Sequence, residues 1–435
     1  MPLPLNVVYL HSHDTGRYVQ PYGHAIATPH LQAFAGRGAL FRQAFCAGPT
    51  CSPSRSALLT GANPHSNGLI GLRHRGFALS HPEWHLAAHL GAHGYRTAAF
   101  GTEHVTDDPA PGESFWQTQE QLKIKSAVER NEAALDWLRA REPDAPFFLS
   151  LGYFETHRAF PEPGPDCDPR YILPPACLPD TPQTRQDMAA FHQMARNLDA
   201  AIGHFMAGLE ALGLLGNTLI ICTTDHGIAF PRMKCNLQDT GIGVMLMLNG
   251  PPATGIAAGT VIDSMVTHMD LYPTICELAG LPAPPWLEGN SLLPLLRGGL
   301  DPAQADALHT EIFSEVTYHA VYEPQRAVRT SRWKYIRRFG DAPVVLSPNC
   351  DDGPSKALWI DAGWRGRPLE KEQLFDLLFD PMEGNNLVDS PEHAAVLHHL
   401  RARLQSWMER TGDPLLHGPV PLPPGARADG PRNPS

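Results

Sequence analysis

Short apolar, β-branched runs alternate along the chain with segments of helical period, and that alternation predicts a sheet assembled from βαβ units. Asn6-Val7-Val8-Tyr9-Leu10 reads as a buried first strand, with Arg96–Phe100, Phe147–Tyr153, Thr218–Thr223 and Val244–Leu248 as further strands. Thr28 and Pro29 open a helix as N-cap and first-turn proline, with Leu31, Phe34 and Ala35 on its inner face. Between Gln186 and Leu212, residues Met188, Phe191, Leu198, Ile202, Phe205, Leu209 and Leu212 recur at helical spacing and belong to the core. Phe160 to Pro182 is too broken by proline for regular structure and is expected to form a loop over a site.

After Ser291 the pattern changes. Arg326–Arg338 reads as a strand pair, and Ser390-Pro391 opens a helix with Val396, Leu397, Leu400, Leu404 and Trp407 on one face. The expected organisation is a catalytic α/β domain over 1–300, a smaller C-terminal α+β subdomain over 301–417, and a disordered tail over 418–435. The tail holds six prolines and few apolar residues.

With 435 residues the chain can bury a large core without disulfides or metals to staple it. Its 34 Lys+Arg against 45 Asp+Glu give a net charge of −11, which offers no footprint for a nucleic-acid backbone. Residues Met1 to Leu5 lack the basic and apolar regions of a secretory signal. The uncharged stretch Thr240–Ile262 is interrupted by Asn249, Pro251, Pro252 and several glycines, so no membrane span is expected. Eight cysteines without repeated spacing suit a reducing compartment, and a cytoplasmic location is the expectation.

Four polar clusters fall just past the C-terminal ends of predicted strands: His11-Ser12-His13-Asp14, His104, Glu155-Thr156-His157-Arg158 and Asp225-His226. In open α/β sheets that edge binds ligands, so four clusters there point to one site. The sharpest motif is Cys51-Ser52-Pro53-Ser54-Arg55-Ser56-Ala57-Leu58-Leu59-Thr60-Gly61. Pro53 starts a helix ended by Gly61, which puts Cys51 at a helix N-terminus where an anion is favoured, with Arg55 one turn further on the same side. Taken alone, these residues fit either an anion-binding nucleophile or a buried structural cysteine beside a capped helix.

The run resembles the sulfatase signature Cys-x-Pro-Ser-Arg-x-x-Leu-Leu-x-Gly at every fixed position, and Asp225-His226-Gly227 and the Leu374–Leu387 segment extend the likeness along the chain. Within that family the chain is most similar to the heparan N-sulfatase (sulfamidase) branch and its bacterial members. Ala27–Leu31, Asn67-Gly68, Gly71-Leu72, Thr156-His157-Arg158 and Glu315-Val316-Thr317 carry that likeness. The resemblance implies an alkaline-phosphatase-like α/β sandwich, with a large, mostly parallel central sheet and a smaller C-terminal antiparallel-sheet subdomain.

It also implies that a formylglycine-generating enzyme oxidises Cys51 to formylglycine, whose hydrate is the nucleophile. A divalent ion would be held by His13, Asp14, Cys51, Asp225 and His226. The ion is calcium by family resemblance, and manganese or zinc if both histidines ligate. His13 stands where the family has a carboxylate, so it either ligates the ion or hydrogen-bonds Asp14. His104 matches the histidine that supports the hydrate, His157 the leaving-group acid, and Lys234 and Arg55 the groups that hold sulfate charge. Thr102 replaces a lysine of the family pattern. The expected activity is metal-dependent hydrolysis of a sulfate ester or N-sulfate on a small molecule or saccharide. The competing readings are a phosphodiester or phosphonate monoester hydrolase on the same fold, and a non-catalytic binding protein that kept it.

Overall fold

The computed structural model describes residues 5–106, 115–120, 126–298 and 308–430. One sheet is formed by β1 (Asn6–Ser12), β2 (Ala39–Phe45), β3 (Arg96–Gly101), β4 (Thr118–Glu120), β5 (Phe147–Gly152), β6 (Thr218–Thr224), β7 (Gly243–Val244), β8 (Leu246–Asn249) and β9 (Thr260–Thr267). Its path runs β4-β3-β5-β1-β6-β8-β2-β7, with β9 paired to β2. The strands from β4 through β6 are mutually parallel, and β8 turns the sheet antiparallel against both β6 and β2.

Strict alternation in β1 divides the core in two. Val8 and Leu10 face helices Pro29–Arg37, Ala127–Ala140 and Pro182–Ala211, whose Leu31, Leu135, Leu198 and Phe205 complete one cluster. Val7 and Tyr9 face the helices Cys51–Thr60, Leu86–Ala92 and Leu271–Ala279 and, beyond them, a second sheet. That sheet is antiparallel, in the order β10 (Glu311–Tyr318), β11 (Tyr322–Thr330), β12 (Trp333–Arg338) and β13 (Glu372–Asp376). Helix Ala394–Thr411 covers it with Leu397, Leu400, Leu404 and Trp407. The architecture is thus a helix-flanked, mostly parallel mixed sheet with a smaller antiparallel sheet. Among the described residues no helix is long and apolar enough to cross a membrane.

The structure departs from the sequence expectation at several places. Val244–Leu248 is two strands, because Met245 turns its N–H to Gly16 O at 2.8 Å between them. Thr28 occupies the N-cap position without capping, and its hydroxyl accepts from Gln20 N instead. The free amides of His30 and Leu31 go to the Asp199 carboxylate of the long helix, at 3.2 and 2.7 Å. Residues 418–430 are not a disordered tail. Tyr318 Oη donates to Val420 O at 2.7 Å, Val420 N donates to Tyr322 Oη at 2.9 Å, and Arg75 pairs with Asp429 at 3.0 Å. The segment bends at Pro423–Ala426, where Ala426 N donates to Pro423 O at 3.0 Å. Beyond the bend Arg427 N and Asp429 N donate to Arg75 O and Ala320 O at 2.9 and 2.7 Å, so its backbone groups find partners outside any strand ladder. Residues 431–435 and the expected boundary at 300 lie outside the described residues.

Candidate active site

β3, β5, β1 and β6 are neighbours and parallel, so their C-terminal ends share one edge of the sheet. The segments beyond β1 and β5 remain paired: His13 N donates to Glu155 O at 3.0 Å and Thr156 N to His13 O at 2.7 Å. This extension sets the His13 and His157 rings edge to face, with centroids 5.8 Å apart. Asp14 and His104 hold left-handed backbone, φ 52° and 67°, shortly after the ends of β1 and β3. Non-glycine residues keep such conformations where surrounding structure imposes them, commonly at functional sites.

Helix Cys51–Thr60 is buried along its entire length, and its serines show how that is tolerated. Ser54 Oγ donates to Asp225 O at 2.5 Å, Ser56 Oγ to Pro53 O at 3.0 Å, and Ser52 Oγ accepts from Arg73 N at 2.9 Å. Arg55, 1% exposed, donates from Nη2 to Ser12 O at 2.8 Å and to Asp225 Oδ2 at 3.0 Å, and from Nη1 to His11 Nδ1. His11 in turn donates Nε2–H to Ser150 Oγ at 3.0 Å. Gly61 ends the helix at φ 68°, a conformation that favours glycine. Cys51, the first helical residue, therefore presents its side chain where the helix amides are unpaired.

One ligand atom from each of His13, Asp14, Cys51 and Asp225 lies within 4.8 Å of the others. His226 Nε2 adds to this group, at 3.4 Å from Asp14 Oδ1, 3.6 Å from Asp225 Oδ2 and 3.5 Å from Cys51 Sγ. His226 donates Nδ1–H to Gly227 O at 3.0 Å, which leaves the Nε2 lone pair facing the group. The His13 partner is Asp225, at 3.3 Å, rather than Asp14. His13 Nε2 and Asp14 Oδ1 are buried without a hydrogen bond. Buried lone pairs converging in this way suit a divalent cation.

Charge is arranged around the same point. Lys234 Nζ lies 3.0 Å from Asp14 Oδ2 and 3.1 Å from Asp351 Oδ2, and His157 Nε2 lies 4.0 Å from Asp14 Oδ2. Burial opposes the Lys234 charge, but Asp14 and Asp351 hold its ammonium well above the usual lysine range. Burial would raise the Asp225 carboxyl, and His226, Arg55 and His13 overcome it and hold the group well below the carboxylate range. Burial, seconded by Arg55, drives His13 well below the imidazole range, so the ring is neutral. The Cys51 thiol is pushed up by the same burial.

The structure thus gathers His13, Asp14, Cys51, Arg55, Asp225, His226, Lys234 and His157. His104 stands at the rim, its ring 6.1 Å from that of His13 and its Nε2 3.0 Å from His74 Nδ1. Two members of the predicted clusters have other partners: Glu155 pairs with Arg130 at 3.1 Å, and Arg158 forks onto Asp187 at 2.8 Å. Asp351 and the arginine-bound His11 carried no assigned role in the sequence. His11 was visible as a strand-end histidine, whereas Asp351 sits in an aperiodic segment that docks on Lys234 only in the folded chain.

A family model described as Sulfatase matches residues 5–281. A second, described as N-sulphoglucosamine sulphohydrolase, C-terminal, matches residues 234–345. Human N-sulphoglucosamine sulphohydrolase is 30% identical over 96% of this chain and 92% of its own length. An ulvan-active sulfatase of Formosa agariphila is 29% identical over 92% of this chain and 78% of its own length. A solved structure described as a complex with its substrate D-glucosamine-2-N,6-O-disulfate superposes with a TM-score of 0.71 at 18% identity, covering 96% of this chain and 99% of that one. With the signature helix at the centre of the site and the family model spanning most of the large sheet, the chain belongs to the sulfatase family.

Proposed function

We propose that this sulfatase hydrolyses the sulfate of an amino sugar, with an N-sulfated glucosamine as the preferred substrate. The observation that carries the reading is Cys51 at its helix N-terminus, buried against His226 and enclosed by His13, Asp14 and Asp225. The likeness to human N-sulphoglucosamine sulphohydrolase supports the substrate class.

A cation held by His13, Asp14, Asp225, His226 and residue 51 would polarise the sulfuryl oxygens, and residue 51, once oxidised to formylglycine and hydrated, would supply the attacking oxygen. The remaining groups act directly. Lys234 places its ammonium against the sulfuryl oxygens, where negative charge builds in the transition state. Arg55 holds the Asp225 carboxylate and the end of β1 in fixed orientation. His157 donates Nδ1–H to Arg158 O at 2.6 Å, so its Nε2 is the nitrogen that faces the site and, when protonated, gives its proton to the departing nitrogen or oxygen. His104, hydrogen-bonded to His74, orients the nucleophile from the rim. As a thiol, Cys51 would be a poor nucleophile here, because burial keeps it neutral. Maturation by a formylglycine-generating enzyme, in the cytoplasm, completes the reading.

The test is sulfate release from glucosamine N-sulfate by protein carrying formylglycine at position 51, beside an aryl sulfate and an aryl phosphodiester. Sulfate release from the N-sulfated sugar supports the reading. Turnover of the phosphodiester with none of either sulfate overturns it.

A further inference from the structure

We infer that Asp351 is the sugar-recognising residue of this site: its carboxylate accepts hydrogen bonds from the N–H and O–H groups that flank the sulfated position of an amino sugar. The inference rests on the sulfatase reading above and adds how the saccharide is recognised.

Lys234 bridges two carboxylates of different character. Asp14 is sealed in the floor of the site, whereas the Asp351 side chain keeps 22% of its surface exposed while bound to an ammonium that is 2% exposed. Asp351 is therefore where the buried charge network meets the space a substrate enters. His319, neutral because burial and Lys234 bring its pKa down to about 3, adds no competing charge beside it.

The segment that carries Asp351 is anchored on both sides. Asn349 Oδ1 accepts from Ala320 N and Val321 N, both at 3.0 Å, and Lys356 Nζ donates to Cys350 O at 2.7 Å. Ser355 N donates at 3.0 Å to Asp187 Oδ2, the carboxylate that already holds Arg158 beside His157. A Cβ on Gly353 would strike that clamped guanidinium, so the close approach requires glycine. The carboxylate is thus preorganised over the site from the C-terminal part of the chain.

Its chemistry selects the ligand. A carboxylate beside an anion-binding lysine repels a second anion and offers acceptors only, so its complement is a neutral, donor-rich group. A sugar ring with amino and hydroxyl groups supplies those donors, and an aryl sulfate supplies none. For an N-sulfate the reaction is RNHSO3− + H2O → RNH3+ + SO4 2−. The N–S bond breaks, the water oxygen ends on sulfur, and both water protons end on nitrogen. The product ammonium then faces Asp351, and sulfate is left on Lys234.

The experiment compares Asp351→Asn and Asp351→Ala with the wild type on glucosamine N-sulfate and on 4-nitrophenyl sulfate, with melting temperatures as a check on folding. Both substrates lose a few-fold in kcat/KM as Lys234 loses a partner, and the N-sulfated sugar loses a further factor of roughly 10–100, the effect of removing hydrogen bonds to a charged group. Equal losses on the two substrates would mean that Asp351 acts only through Lys234 and would overturn the inference, as would an undiminished rate on the sugar. A wild type that is inactive on both substrates overturns the sulfatase reading, and this inference falls with it.

Discussion

Arg55 Nη2 donates to Asp225 Oδ2 at 3.0 Å with both side chains at most 1% exposed, and this pair ties the helix that begins at Cys51 to the end of β6. The same guanidinium also reaches β1 through Ser12 O, so one side chain fixes three elements of the site relative to one another. Removing it leaves a carboxylate sealed from water. Arg55→Met is expected to cost about 3–5 kcal/mol of stability, the usual consequence of breaking a buried pair from one side. Denaturant unfolding of the two proteins measures this. A loss under about 1 kcal/mol would mean that His13 and His226 suffice to hold Asp225.

Cys51→Ala removes the nucleophile and one of the groups around the cation but leaves the fold in place, since the helix start keeps Thr50 in extended backbone and Pro53 in its first turn. Turnover should fall to background, and the melting temperature of the metal-free protein should stay unchanged. In protein made without a maturase, Cys51 should resist alkylation at neutral pH, because burial raises its pKa and keeps the thiolate scarce. Rapid labelling of that thiol, or retained activity in the alanine variant, would contradict the proposed mechanism.

The site was legible in the sequence to the extent that it is built from strand ends. His13, Asp14, His157, Asp225 and His226 each follow an apolar run by one to five residues, and parallel strands bring such positions to one edge whatever their order. Cys51 and Arg55 were legible through spacing on a helix. Asp351 was not, because its contact with Lys234 is made by docking an irregular segment, for which the chain has no period. β2 was missed for a related reason: Arg42 and Gln43 interrupt its apolar run, Arg42 facing solvent and Gln43 half-buried within a strand whose other residues are buried. The packing of residues 418–430 was hidden because its partners, Arg75, Tyr318 and Tyr322, lie far away in sequence.

A second buried network joins the large sheet region to the small one. Arg326 pairs with Glu315 at 3.0 Å and with Asp413, and His65 pairs with Glu315 at 2.8 Å. The guanidinium already occupies the space between the carboxylates. Burial raises the Glu315 carboxyl, but Arg326 and His65 bring its pKa down to about 2. A depressed carboxylate pKa gives stability that is present above the unfolded value, about 4.3, and is lost as pH falls through the folded one. His65 has the opposite sign: burial opposes its charge, but Glu315 raises its pKa, so its contribution is complete below about pH 6.5 and fades as pH rises through the folded value. Stability measured from pH 5 down to pH 2 should therefore fall more steeply for the wild type than for Glu315→Gln, which is less stable at every neutral pH. Parallel curves would remove Glu315 from the acid transition.

The imidazoles of the candidate metal group lead to the last prediction. His226 is locked by Gly227 O with its Nε2 lone pair toward Asp14, Asp225 and Cys51, and His13 is neutral with Nε2 free of hydrogen bonds. Calcium takes six to eight oxygen ligands, whereas imidazole nitrogen suits manganese or zinc. Two nitrogens beside two carboxylates should thus tilt the site toward the borderline ions. Protein purified without chelator is expected to carry manganese or zinc, and each should raise the melting temperature more than calcium does at equal concentration. A cation present at about a hundred times its dissociation constant adds roughly 2.7 kcal/mol, enough to read in a melting curve. His226→Asn exchanges a nitrogen donor for an amide oxygen and should reverse the order of the ions, with calcium becoming the stronger stabiliser. Stoichiometric calcium in the wild type, with no change of preference in the asparagine variant, would mean that the histidines only hydrogen-bond the carboxylates and that oxygen donors alone choose the ion.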